Sequence, residues 1–198
     1  STDVNDGTDT ILAGQGSDFI DGQGGDDKVM VALLGGNAKG YTNVADTEST
    51  FQDKIVVNAT LGDDTLLVRG SSTGLGSVSL LPEVDGGISV GAIAPAKSNI
   101  ERVNFWKDGI DTLALDAGMG DDTIAIDFTV ATTSIDAGSG RDTILVGQLF
   151  KSERSSTNVG SNIASDDSFD TIETTQGFLS NGPVNSTTIH GGSGDDNF

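Results

Sequence analysis

The sequence predicts an all-β fold, a right-handed parallel β-roll continuing into a wider parallel β-helix solenoid. Three observations carry that expectation. Residues 4–30 read as three consecutive nonapeptides, VNDGTDTIL, AGQGSDFID and GQGGDDKVM, in a fixed register of nine. Apolar residues recur nearly everywhere at a spacing of two rather than three or four, which is the signature of strands with one buried face. The chain also holds 28 Gly against 3 Pro, the punctuation of many tight turns. Right-handedness follows the general rule for parallel crossovers.

Within each nonapeptide a Gly (Gly7, Gly16, Gly25) is followed two residues later by an Asp (Asp9, Asp18, Asp27) and two after that by an apolar residue (Ile11, Ile20, Val29). A Gly-rich turn reaches positive-φ backbone that only Gly adopts cheaply, and a short strand follows with its apolar residue pointing inward. The Asp stands where turn becomes strand. Asp9 and Asp27, eighteen residues apart, are expected to stack on one side of the roll, with Asp18 on the other.

The roll is expected over 1–34. Residues 35–52 break the rhythm with turn formers and read as a loop. The rhythm resumes over 53–147 in wider coils. DKIVV (53–57) and DTLLV (64–68) open this region, and SVSLL (77–81) and GISVGAI (87–93) are expected strands around a turn at Pro82 to Gly87. NIERVNFW (99–106) leads into GIDTLALD (109–116). From there Asp111, Asp122 and Asp142 mark steps of eleven and twenty residues, with strands TLALD, TIAID, TTSID and TILVG. This implies two strands per coil of about twenty residues, so Asp122 and Asp142 should stack. Residues 148–187 are rich in Ser, Asn and Thr, hold one weak repeat, FDTIE (169–173), and read as loop-rich coils. Residues 188–198 start a further repeat, so the chain reads as a segment of a longer repeat protein.

These repeats resemble the hemolysin-type calcium-binding repeat of RTX proteins, G-G-x-G-x-D-x-U-x, where U is a large apolar residue. GGSGDDNF (191–198) matches that pattern from its first to its eighth position. AGMGDDTIA (117–125) and AGSGRDTIL (137–145) depart only at the first Gly, whereas ATLGDDTLL (59–67) keeps Gly62, Asp64 and Leu66. The resemblance implies type I secretion to an extracellular or cell-surface location. Independently of it, stacked turns gather acidic side chains and turn carbonyls around one point, an all-oxygen cage suited to Ca²⁺. The expected ligands are Asp9, Asp18, Asp27, Asp64, Asp111, Asp122, Asp142 and Asp196. The glycines of the same turns join them: Gly7, Gly14, Gly16, Gly25, Gly118, Gly120, Gly138, Gly140, Gly192 and Gly194. The competing reading makes these Asp residues plain turn formers. Periodicity favours ligation, since a turn alone accepts Asn or Ser. Asp26, Asp63, Asp121 and Asp195 precede the ligand positions and are expected either to face outward or to stand behind the ligands. Arg141 holds a cation at that place and lowers the charge of its site. Asp196 is expected to need a partner beyond Phe198.

Thirty Asp plus Glu against 10 Lys plus Arg give a formal net charge of −20. Nucleic acid is thereby excluded as a natural partner, because phosphate binding needs basic clusters, and the chain asks instead for counter-cations. Thirty-five per cent hydrophobic residues argue against plain disorder of the calcium-loaded chain, while the calcium-free chain is expected to be unfolded. There is no Cys, hence neither disulfides nor thiolate metal sites. No apolar run approaches a membrane span and no signal peptide opens the chain.

Catalytic readings are weaker. DVNDGTD (3–9) departs from an EF-hand loop in its Gly position and lacks flanking helices. The two G-x-S-x-G matches, 70–74 and 87–91, are expected by chance in a chain this rich in Gly and Ser. The only His is His190, within a repeat strand, so neither a hydrolase triad nor H-E-x-x-H zinc chemistry is supported. A β-helix polysaccharide lyase would combine Ca²⁺ with a cationic base drawn from Arg102, Lys107, Arg69 or Lys54. Trp106, Phe105 and Tyr41 read as packing residues rather than a sugar platform. The expected function is therefore non-catalytic: a calcium-stabilised structural segment of a large extracellular bacterial protein of adhesin, surface-layer or filament type. Stacking end to end on adjacent repeats or copies of itself is expected. The alternatives are a calcium-binding accessory module of a secreted enzyme and, behind it, the lyase.

Overall fold

A computed structural model of the protein describes residues 7–35, 40–47, 52–71, 73–81, 101–150, 172–174, 177–179 and 182–198. These residues are all-β, with strands and no helix. Six strands form one wholly parallel sheet in the order β1 (Thr10–Leu12), β3 (Lys28–Ala32), β5 (Lys54–Asn58), β9 (Thr112–Asp116), β11 (Thr132–Asp136) and β16 (Thr187–His190). The strands between them in sequence build a second sheet: β12 (Thr143–Val146), β10 (Thr123–Ile126), β6 (Thr65–Gly70), β7 (Leu75–Leu81), β8 (Glu101–Trp106), β4 (Gly40–Ala45) and β2 (Asp18–Asp21). The chain thus crosses from one sheet to the other at nearly every Gly-Asp turn.

Registers are set by the period-two pattern. Ile11, Val29, Ile55 and Leu113 lie side by side across the first sheet, and Val31, Val57, Leu115, Ile135 and Ile189 form the next inward column. Leu66, Ile124 and Ile144 form the matching column of the second sheet. These residues belong to one apolar core between the sheets, in which Ile55, Leu66, Ile124 and Ile135 are wholly inaccessible. A one-residue slip would turn every such column outward, which is why register is so strongly specified.

Two expectations are corrected. The stretch read as a loop at 35–52 contributes β4, which pairs in parallel with β2 and β8. Thr42 and Val44 are buried at alternating positions there; with only two such inward residues among polar neighbours, the strand signal is weak in sequence. The wider coils are also not uniformly parallel, because β7 runs antiparallel to both β6 and β8. The chain reverses direction between β6 and β7. Leu75 N–H donates to Ser71 Oγ (3.3 Å), and Ser71 N–H donates to Leu75 O (2.7 Å). β7 and β8 thereby come to lie between β4 and β6 in the second sheet, while β5 and β9 remain direct neighbours in the first.

SVSLL, NIERVNFW and the four strands after Asp111 are found as β7, β8, β9, β10, β11 and β12. The region read as loop-rich coils holds a small antiparallel sheet of β13 (Gln148–Phe150), β15 (Gly177–Leu179) and β14 (Ile172–Thr174). GISVGAI, the turn at Pro82 to Gly87 and most of 148–187 lie outside the described residues.

Candidate functional site

The repeated Asp residues fall into two ladders on opposite sides of the molecule, at the two sets of turns that join the sheets. In the first ladder, Asp9 N–H donates to Asp27 Oδ1 (2.8 Å), Asp27 N–H to Asp53 Oδ1 (2.8 Å), and Asp53 N–H to Asp111 Oδ2 (3.2 Å). In the second, Asp64 N–H donates to Asp122 Oδ1 (2.8 Å), Asp122 N–H to Asp142 Oδ1 (2.9 Å), and Asp142 N–H to Asp196 Oδ1 (3.2 Å). Each carboxylate thus ties its own turn to the preceding one. The expected stacks Asp9 on Asp27 and Asp122 on Asp142 are both present. Asp18 lies at the start of β2, across from Asp9 and Asp27, and Asp111 and Asp64 stand in different ladders.

At three joins the residue before the ladder Asp completes the join in the opposite sense. Gln52 N–H donates to Asp26 Oδ1 (3.0 Å), Asp121 N–H to Asp63 Oδ1 (2.8 Å), and Arg141 N–H to Asp121 Oδ1 (2.9 Å). Two adjacent turns therefore exchange a pair of carboxylate-to-amide bonds wherever the upper turn carries Asp-Asp. Asp26, Asp63 and Asp121 are exposed, as expected of outward positions. Arg141 turns its guanidinium outward onto Asp121, Nη2 to Oδ2 3.2 Å.

The turn glycines pack against one another along the same axis. Gly7, Gly16, Gly25, Gly118, Gly120, Gly138, Gly140, Gly192 and Gly194 all have positive φ, and Gly14 does not. At Gly140 a Cβ would collide with Gly120 O, so both left-handed backbone and close turn-on-turn approach demand Gly there. The carbonyls of Gly118 and Gly138 accept the N–H groups of Ser139 and Ser193, 3.0 and 2.9 Å.

The ladder interiors are dry. Asp27, Asp53, Asp122 and Asp142 are between 0% and 4% exposed. Burial is the main cause that pushes the Asp53 carboxyl up to about 7, opposed by its bond from Asp27 N–H and reinforced by Asp46 and Asp27. Burial likewise pushes Asp122 up to about 7, with Asp64 and Asp142 adding like charge. Asp142 is raised by burial first, then by Asp196 and Asp121. No hydrogen-bond donor reaches Asp53 Oδ2, Asp122 Oδ2, Asp142 Oδ2 or Asp18 Oδ2, although all four atoms are inaccessible to water. Carboxylate oxygens buried in this way are costly unless protonated or bound to a cation. Asp64 differs, since Thr60 N–H (2.7 Å) and Thr60 Oγ1 (2.9 Å) both donate to its Oδ2.

Asp53 and Asp46 were not among the expected site residues. Asp53 carries the D-K-I signal that parallels D-K-V at Asp27, but no Gly stands two residues before it. Asp46 follows β4 and has no repeat signature at all. Ligand oxygens of Asp27, Asp46 and Asp53 nevertheless lie within 4.8 Å of one another.

The cations considered for a lyase do not gather. Arg69 is buried on β6 with its Nε 3.3 Å from Asp127 Oδ2, Arg102 lies on β8 over the Tyr41 ring at 5.6 Å, and Lys54 sits on the other sheet. Lys107 is exposed and paired with its neighbour Asp108 at 2.6 Å. Phe105 is in the core and Trp106 is exposed. Among the described residues there is no helix long and apolar enough to cross a membrane. Compared with protein-family models, curated proteins and solved structures, the chain finds no match in any of the three.

Proposed function

We propose that this chain is a calcium-stabilised structural segment of a large extracellular protein, built as a right-handed β-roll and β-helix solenoid of the hemolysin-type repeat kind and without catalytic activity. One observation carries the reading: buried carboxylate oxygens without donors stand in both ladders, at Asp53 in the first and at Asp122 and Asp142 in the second, in a chain of net charge −20. Alternation of strands between two sheets, with Gly-Asp turns stacked on both sides, supports the solenoid. The donor set of carboxylates and turn carbonyls fits a hard cation that takes six to eight oxygens.

Asp9, Asp18, Asp27, Asp64, Asp111, Asp122, Asp142 and Asp196, with carbonyls of their turn glycines, are the residues that would hold Ca²⁺. When bound, the ion neutralises the buried carboxylates. The chain's own part is to hold those carboxylates in register through the amide bonds between turns. Where calcium is scarce, carboxylate repulsion favours the unfolded and exportable chain; outside the cell, binding free energy becomes folding free energy. Such a segment suits a parent protein of adhesin, surface-layer or filament type, and end-to-end stacking on further repeats suits the open sheet edges.

The test is a Ca²⁺ titration of metal-free protein followed by far-ultraviolet circular dichroism, with Mg²⁺ as control. A cooperative coil-to-β transition driven by Ca²⁺ is expected. A metal-free chain that is already fully β, with a melting temperature unmoved by calcium, would reduce the ladders to turn chemistry.

A further inference from the structure

We propose that Asp27, Asp46 and Asp53 form a discrete, high-affinity site for a hard divalent cation, Ca²⁺ in the first instance, built by a departure from the repeat rather than by the repeat itself. The inference deepens the calcium reading above and rests on it.

The departure is visible in the register. Asp21 pairs with Ala45 and Gly22 N–H donates to Ala45 O at 3.3 Å, so Asp46 lies in the place that Gly22 holds one turn earlier. A Cβ on Gly22 would collide with Asp27 Oδ2, and a Cβ on Gly191 would meet Asp196 Oδ2 in the same way. At those two turns the side-chain space of the first glycine is filled by the turn's own carboxylate. At position 46 the chain places a second carboxylate there. In sequence, Asp46 precedes Asp53 by seven residues, where Gly22 precedes Asp27 by five.

Three acidic groups alone would be only a cluster. The second observation is Asp53, which is 2% exposed and whose Oδ2 has no hydrogen-bond donor, while its Oδ1 is occupied by Asp27 N–H. Its carboxyl faces that of Asp46 within side-chain hydrogen-bonding reach, and the charges of Asp46 and Asp27 both act on it. Two carboxylates that approach inside a dry turn repel strongly unless something positive lies between them. Lys28 and Lys54 are paired with each other across β3 and β5 and alternate to the outward side, away from the ladder positions before them. Oxygen-only donors select a hard ion over zinc or copper, and three carboxylates leave room for backbone carbonyls and water in a calcium shell.

The experiment is calorimetric titration of the full chain with Ca²⁺, wild type against Asp46→Gly, which restores the repeat's own residue, and Asp46→Asn, which keeps the shape and removes the charge. The wild type should show one calcium bound more tightly than the others. Both variants should lose that step, with affinity at least tenfold weaker, and retain the remaining calcium uptake and calcium-coupled folding. If the variants bind the same number of ions with the same affinities, the site is overturned and the wider calcium reading stands. If either variant is more stable without metal and binds no fewer ions, the carboxylates share a proton instead, and the site is again overturned. A wild type that takes up no calcium removes both readings together.

Discussion

The two carboxylate ladders use the same bond, an Asp carboxylate accepting the amide of the turn before it, but differ in what surrounds the bond. The second ladder is the more regular. Asp64, Asp122 and Asp142 are each buried behind Gly-x-Asp turns, and at the two joins between them the outer residue returns a second bond, from Asp121 to Asp63 and from Arg141 to Asp121. The first ladder is buried only in its middle. Asp9 and Asp111 at its ends are exposed, a returned bond is present from Gln52 to Asp26, and a third carboxylate, Asp46, intrudes. Repetition makes a scaffold in which each charge meets its neighbours one turn at a time. Interruption of the repeat is what concentrates charge at a single place.

The largest test of this contrast is proton for calcium. Asp53 in the first ladder and Asp122 in the second both have carboxyls pushed up to about 7 in the folded chain, against about 3.9 when unfolded. The folded state then holds more protons between those values. Stability from these groups is fully present below about pH 4 and is lost as pH rises through about 7. Metal-free protein should therefore gain β-structure when acidified from pH 8 to pH 5, read by circular dichroism, and saturating calcium should flatten that dependence. Loss of β-structure over the same acidification would mean that the ladders are not charged in the way described.

Next in size is Asp122→Ala. It removes the acceptor of the buried Asp64 N–H and should cost about 2 to 3 kcal/mol in denaturant unfolding at saturating calcium. Asp111→Ala, at an exposed end with a 3.2 Å bond, should cost under about 1 kcal/mol. Equal losses would contradict the contrast between a ladder interior and a ladder end.

Asp121→Ala and Asp26→Ala probe the returned bonds, one from each ladder. Both carboxylates are exposed, so each variant should lose only about 0.5 to 1 kcal/mol, and the exposed Arg141 pair should add little to the first. The smallest effect is a gain. Gln23 has φ of +71° at a turn position where Gly118, Gly138 and Gly192 stand in later repeats, so Gln23→Gly should stabilise by about 0.5 to 1 kcal/mol. A destabilised Gln23→Gly would show that the side chain holds the turn, against the view that backbone alone decides it.

Much of this is legible in the sequence. The register of nine placed Asp9 over Asp27, and the step of twenty placed Asp122 over Asp142, because a fixed residue count per turn fixes which side chains face the same way. Asp64 carries the Gly-x-Asp signature of the metal set, but its partner is not legible in the spacing. That partner is Asp122, 58 positions on, and the chain between them adds β7 and β8 to the second sheet, with an antiparallel β7 that no periodicity announces. β4 was hidden for a different reason: its inward Thr42 and Val44 are too few to show alternation. Asp46 was invisible because its importance depends wholly on lying beside Gly22.

By itself, the sequence determined the all-β class, the turn chemistry, the inward columns of Ile, Val and Leu, and the ladder residues one repeat apart. These follow from local rules: which residues accept positive φ, and which alternate in burial. Only the tertiary structure decided which distant turns become neighbours, that carboxylates bond amides between turns, and where three of them converge. Those outcomes depend on how an insertion is absorbed by one sheet while the other stays continuous, and residue spacing along the chain carries no record of that.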